Sequence, residues 1–256
     1  MTKALLFAAV VFAAGTLHVQ PGAGSREPGT GNLNPIPIVV ELFTSEGCES
    51  CPPADVLLQQ LASTQPVAGA QIVPLGLHVD YWDQLGWKDR FSSALLTERQ
   101  RTYGARFRLD SVYTPQMIVD GRVELVGSDG AAARKAIARA ATAAHGVVRI
   151  DLAGGTVTVT ASNLPGHDRA DIVVAVTEDR LTSKVTRGEN RGRTLTHAAV
   201  VRRLTPIGEA AGPSARAQTT IAADSAWARE ALRVVAFVQE RRGGAILGAA
   251  AMPFQP

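Results

Sequence analysis

The chain has 256 residues, of which 46% are apolar and 19% charged, and a formal net charge of +3. This is a globular composition with length enough for two domains, and it excludes a disordered chain. A charge balance so small, with acids interspersed among the bases, argues against nucleic acid as a partner.

Taken in order, the chain opens with Lys3 and then the apolar run ALLFAAVVFAA. A basic start and a short apolar core are the marks of a secretory leader, and the run is too short for a membrane anchor. Cleavage fits Ala13-Ala14-Gly15 or a position near Gly24. We assign residues 1–24 to the leader and 25–35, rich in Gly and Pro, to a flexible linker. The mature chain is then expected to be secreted or periplasmic, with no membrane span. In such a compartment a thiol pair can be redox-active.

A first domain is expected over 36–146. Ile38 to Phe43 (IVVELF) reads as a buried strand. A polar turn ending at Gly47 leads to Cys48-Glu49-Ser50-Cys51, which holds both cysteines of the chain. Pro52 and Pro53 suit the first turn of a helix, whose early N–H groups lack acceptors. Val56, Leu57, Leu58 and Leu61 supply that helix with an apolar stripe. Ile72 to Val79 is a second buried strand, which suggests a right-handed crossover. An aromatic loop follows, with Tyr81, Trp82 and Trp87. Ser92 to Phe107 has helical character. After Thr114-Pro115, Gln116–Val119 and Arg122–Val126 form a hairpin about Asp120-Gly121, a favoured two-residue turn. Ser128 or Asp129 can cap an Ala-rich helix that runs to about His145. The order is β-α-β-α-β-β-α, an α/β thioredoxin-like domain. In that core a proline, usually cis, lies beside the thiol pair, and Pro115 takes that position.

From 147 to 256 the pattern changes. Short β-type runs (Val147–Leu152, Thr156–Ala161, Ile172–Thr177, Ala198–Leu204, Gln218–Ala222, Leu232–Gln239 and Ala245–Ala251) suggest an antiparallel β-sandwich-like domain. The polar stretch Thr182–Thr196 reads as a long connecting loop. His145, His167 and His197 receive no role.

VELFTSEGCESCPPAD, LHVDYWDQLGWKDRF, YTPQMIVDG and GENRGRTLTHAAVVRRL together resemble bacterial secreted proteins of the domain of unknown function 1223 family. The resemblance implies a thioredoxin-like domain followed by a β-rich one. It implies no substrate, because the family's role is unassigned.

As chemistry, a C-x-x-C at a helix start suits dithiol/disulfide exchange. Cys48 is the expected nucleophile and Cys51 the resolving thiol. The redox-active disulfide would serve in place of a cofactor. Thr114, held by Pro115, would pair with an extended substrate segment. His78 and Asp80 end the second strand and can serve proton transfer; Trp82 and Glu49 can touch substrate. Glu46, Glu49 and Asp55 surround the thiols with no base among residues 44–60, so a weakly acidified Cys48 is expected. The expected partners are a protein or small thiol/disulfide substrate and an unknown redox partner. Two other readings stay open: a copper carrier using Cys48, Cys51 and His78, and a binding module with a static disulfide.

Overall fold

The structure, a computed structural model, describes Met1, Thr2 and residues 34–255. The leader and nearly all of the linker expected from the sequence lie outside these residues. From Asn34 onward the chain is a single compact unit. Among the described residues no helix is long and apolar enough to cross a membrane.

Strand β1 (Ile36–Thr44) is followed by helix α1 (Pro52–Thr64) and strand β2 (Ala70–His78). β1 and β2 pair in parallel over nine residues, Ile36 opposite Ala70 through Thr44 opposite His78. The prolines stand at the first two helical positions of α1, and Cys51 occupies its N-cap. The other end stops at Gln65, which takes a left-handed conformation and gives its N–H to the Leu61 carbonyl. The Gln65 side chain then accepts from the Ile72 N–H at 2.6 Å, tying the helix end to β2. Leu57, Leu58 and Leu61 are buried as the apolar stripe requires, but Val56 is turned to solvent and Ala54 takes the inward position.

Helix α2 (Ala94–Phe107) is capped by the Ser93 hydroxyl, which accepts from the Leu95 N–H. Strands β3 (Gln116–Val119) and β4 (Val123–Val126) form the hairpin, with Asp120 and Gly121 at φ 56° and 63° as such a turn demands. The Asp129 carboxylate accepts from the Ala131 and Ala132 N–H groups to start α3 (Gly130–Ala141), shorter than expected. Within this stretch the strand order is β2-β1-β3-β4, with β3 antiparallel to β1. Helices α1 and α3 cover one face through Leu58, Leu61, Ala133 and Ile137; α2 covers the other through Leu96 and Tyr103.

The second stretch continues with β5 (Val147–Ala153), β6 (Thr156–Ser162), β7 (Ala170–Glu178), β8 (Leu181–Lys184), β9 (Thr194–His197), β10 (Val200–Ala210), β11 (Ala215–Thr220), β12 (Leu232–Glu240) and β13 (Ile246–Pro253). Its strands are divided among three sheets. Four of its strands extend the first sheet to eight, in the order β13-β12-β7-β10-β2-β1-β3-β4. The sandwich expected from the sequence survives only as three antiparallel strands, β11-β6-β5, packed on one part of that large mixed sheet. Alternation along β7 shows the two-sided burial: Ile172, Val174 and Val176 face the small sheet, and Val173 and Ala175 join the cluster of α2. Periodicity reports which residues of a strand are buried, not which strand lies beside it, so the union of the two stretches was not visible.

Two of the contacts across that union lie at the seam and on α2. At the seam β10 runs parallel to β2 with Val200 opposite Gly76, and the Gly76 N–H donates to the Ala199 carbonyl at 2.8 Å. Farther along, Arg99 of α2 binds buried Glu41 of β1 (Nε to Oε1 2.5 Å) and also donates to Gln239 Oε1 of β12 at 2.9 Å. Tyr103 donates to Glu41 and accepts from Gln239. The ion pair holds the Arg99 guanidinium charged despite its burial.

The seam is a testable weak point. A Cβ on Gly76 would stand 2.9 Å from the Ala198 carbonyl oxygen and 3.4 Å from that of Ala199. Both are main-chain atoms that cannot swing aside, so Gly76→Val should cost about 1–3 kcal/mol in urea unfolding. It should also accelerate amide exchange in β10 and β2 together.

Candidate functional site

Cys48 and Cys51 are joined in a disulfide at the start of α1, with Cα atoms 5.4 Å apart. Both residues are completely buried. The Ser50 hydroxyl lies 3.5 Å from Cys48 Sγ. Gly47 packs beneath Trp82, where a Cβ would approach Trp82 Cβ to 3.1 Å. Trp82 in turn donates its indole N–H to the Thr114 hydroxyl at 2.8 Å. The Thr114–Pro115 peptide is cis, Pro115 is buried, and its carbonyl accepts from the Gly127 N–H at 2.9 Å. The aromatic loop thus links the thiol turn to the Thr114–Pro115 turn.

Behind the disulfide lies a buried cluster of ionisable groups. Glu46, Asp55, His78, Asp89 and His197 all have little or no surface in water. His78 Nδ1 lies 2.6 Å from Asp89 Oδ2, an oxygen that also accepts from the Glu46 N–H at 2.9 Å. Trp87 donates to Glu46 Oε2 at 2.7 Å, and Thr44 to Asp55 Oδ2 at 3.2 Å. His197 arrives from β9 and sits edge-on against His78, with ring centroids 4.7 Å apart. Its Nε2 is 3.3 Å from Glu46 Oε1 and its Nδ1 3.9 Å from Asp55 Oδ1. At these distances both carboxylates favour the charged ring. Burial disfavours the imidazolium, but Asp55 and Glu46 outweigh it and push His197 up to about 9. Burial likewise opposes ionisation of Glu46 and Asp89; His197 and His78 respectively reverse this and hold both carboxyls below their ordinary values.

The stretch read as a connecting loop, Thr182–Thr196, proves to be a hairpin whose tip closes on the thiol turn. β8 and β9 pair from Leu181 opposite His197 to Lys184 opposite Thr194. Between them, Asn190 Nδ2 donates to the carbonyls of Glu46 and Cys48, at 2.9 Å each. The Glu49 N–H donates to Glu189 Oε2 at 2.9 Å, and Arg193 Nη2 approaches Glu49 Oε1 to 3.8 Å.

The expected site residues are therefore brought together in part. Cys48, Cys51, Trp82, Thr114 and Pro115 belong to one connected region. His78 belongs to the cluster, though its Nδ1 is engaged by Asp89. Asp80 is occupied with α2 instead: its carboxylate accepts from the Thr97 hydroxyl at 2.6 Å. Glu49 is exposed and engaged with the hairpin tip. Among the described residues, no group of three or more His, Cys, Asp or Glu side chains is arranged to hold a metal. Asn190, His197, Asp89, Glu189 and Arg193 were missed. His197 looked solitary because its partners lie some 140 positions upstream. His197 and Arg193 bring cations to Glu46 and Glu49 from outside residues 44–60, which themselves hold none. The one local signal was Asn190 between Gly188 and Gly192.

The cluster predicts a pH signature. His197 is raised above its ordinary 6.5, so its contribution to stability is complete below about 6.5 and is lost as pH rises through about 9. Glu46 is lowered, so its contribution exists above 4.5 and is lost as pH falls through its folded value. Wild-type stability should thus fall by roughly 2–3 kcal/mol between pH 7 and 10. His197→Gln should be less stable at pH 7 and lose most of that slope, as measured by urea unfolding at each pH.

A family model described as a protein of unknown function (DUF1223) matches residues 39–239. The crystal structure of a protein from Agrobacterium tumefaciens is similar at 30% identity and a TM-score of 0.70, covering 86% of this chain and 96% of that one. A domain of the outer membrane lipoprotein Omp28 from Porphyromonas gingivalis matches at 15% identity over 43% of this chain and 85% of that one, with a TM-score of 0.26. No curated protein matches.

Proposed function

The chain belongs to the DUF1223 family, whose description assigns no activity, and we propose from the site itself that it is an exported thiol–disulfide oxidoreductase. The observation that carries this is the Cys48–Cys51 disulfide at the N-terminus of α1, backed by a buried cluster of imidazoles and carboxylates. The strand order β2-β1-β3-β4, with α2 opposite α1 and α3, supports a thioredoxin-like reading of the first stretch. So does a cis proline at the start of β3. Export rests on the leader-like residues 1–24.

The reaction follows from sulfur chemistry. A substrate thiolate attacks Cys48 Sγ; the Cys48–Cys51 bond breaks and Cys51 leaves as a thiolate. A second substrate thiol, deprotonated, then attacks its own sulfur in the mixed disulfide and expels Cys48. The substrate dithiol is oxidised by two electrons to a disulfide, and the protein disulfide is reduced to two thiols. Run backwards, the same steps reduce a substrate disulfide. The Ser50 hydroxyl is placed to donate to a Cys48 thiolate, and the positive end of the α1 dipole favours it. The leaving Cys51 thiolate then takes up a proton, which completes the dithiol.

One observation favours a second reading. Both sulfurs are completely buried, as in a static bridge within a binding module. The reduction potential separates the two. Equilibration with glutathione buffers should place the pair at about −120 to −270 mV if it exchanges, whereas a value below about −300 mV would mark a structural bridge. Cys48→Ser should abolish catalysed exchange in the first case and leave no activity to lose in the second.

A further inference from the structure

Exchange requires an incoming thiolate to reach a sulfur, yet neither cysteine has surface in water. Part of what encloses the thiol turn is not core. It is the tip of the β8–β9 hairpin, which carries no apolar side chain from Thr186 to Thr194. All of these residues are exposed except Asn190, which is completely buried.

The tip is built as a strap on a fixed root. At the root, the Val185 N–H donates to the Arg193 carbonyl at 3.0 Å and the Gly192 N–H to the Val185 carbonyl at 2.8 Å. Val185 itself is buried. Beyond the root, Gly188 and Gly192 take left-handed conformations, φ 71° and 84°, which place Asn190 inward between them. Arg193 Nη1 donates to Asn190 Oδ1 at 2.8 Å and so turns Nδ2 toward the carbonyls of Glu46 and Cys48. Glu189 holds the next N–H, that of Glu49. The strap therefore grips the main chain on both sides of Cys48 through polar groups alone. Water can replace every one of those bonds when the strap lifts, so what opposes opening is the bonds themselves and the packing of Gly188 against Trp87.

We propose that residues 186–193 form a gate over the disulfide, that Asn190 is its latch, and that reagents reach Cys48 from a state in which the strap has lifted. As an access control on exchange this rests on the oxidoreductase reading. As a physical gate it does not.

The test is the rate at which oxidised full-length protein is reduced by a phosphine, tris(2-carboxyethyl)phosphine, with thiols trapped by alkylation and counted by mass. The phosphine reduces even a structural bridge, so failure of the redox reading, seen in the glutathione potential, is separate from failure of the gate. Asn190→Ala should be reduced about tenfold faster than wild type at equal phosphine, as expected for loss of a buried two-bond contact. Glu189→Ala, which alters an exposed side chain and leaves folding intact, should be faster by a smaller factor. Val159→Ala, in the distant three-stranded sheet, serves as a control for general loosening. Rates for both strap variants within twofold of wild type, or an equal acceleration in Val159→Ala, would overturn the gate.

Discussion

A carboxylate with no surface in water has to find a cation, because desolvation of an isolated charge costs more than folding can supply. Glu46 is such a group, and residues 44–60 contain no Lys, Arg or His. Its neutralising charge comes from His197, delivered by a strand that follows the sheet-forming β7 and its own hairpin partner β8. Much of the surrounding arrangement follows from that pairing. His197 must reach the end of β2, so the β8–β9 hairpin lies over the start of α1. The hairpin tip is then within reach of the 46–49 turn, and Asn190 can meet its carbonyls.

The same physics recurs at Glu41. It too is wholly buried, and it is paired by Arg99 of α2. Arg99 and Tyr103 both reach Gln239 on β12, so the groups that neutralise Glu41 also bind one of the last long strands. Through Arg99 and His197, two buried carboxylates on β1 and in its following turn thus tie the two stretches of chain together beside the single bridge between β10 and β2. Apolar packing adds to the coupling without specifying it: Val173, Ala175, Val235 and Phe237 join the cluster of Phe43, Leu75 and Tyr103. Buried pairs of this kind contribute little net stability compared with apolar packing, but breaking one partner is expensive. They make the assembly selective about which strands meet.

At the thiol site this coupling shapes the chemistry. The disulfide is placed by local structure: a buried strand, a glycine turn and a helix that begins with two prolines. Its surroundings are placed by the far stretch. The imidazole of His197 offsets part of the negative charge of Glu46 and Asp55. Asn190 and Glu189 of the strap hold the main chain on both sides of Cys48. The disulfide and the groups that surround it thus come from segments about 140 residues apart.

The sequence by itself determined the order β-α-β-α-β-β-α, the extents of most strands within about three residues, though β10 runs on from the expected Leu204 to Ala210, and the placing of the cysteines at a strand-to-helix junction. These are decided by local forces: side-chain periodicity, proline at the first helical turn, an Asp-Gly pair at φ above zero, and an aspartate cap on α3. Tertiary structure alone decided that the second stretch would extend the first sheet and would not close a separate sandwich, that Thr182–Thr196 would fold back as a hairpin, and that His197 and Asn190 would join the site. Each of these depends on which strand edge or buried charge meets which partner across the chain. Alternation of apolar residues looks the same whichever neighbour a strand has, and an exposed polar loop looks the same whether its one buried side chain is an asparagine latch or nothing at all. Only the pairing of Glu46 with His197, and of Gly76 with Ala199, distinguishes them.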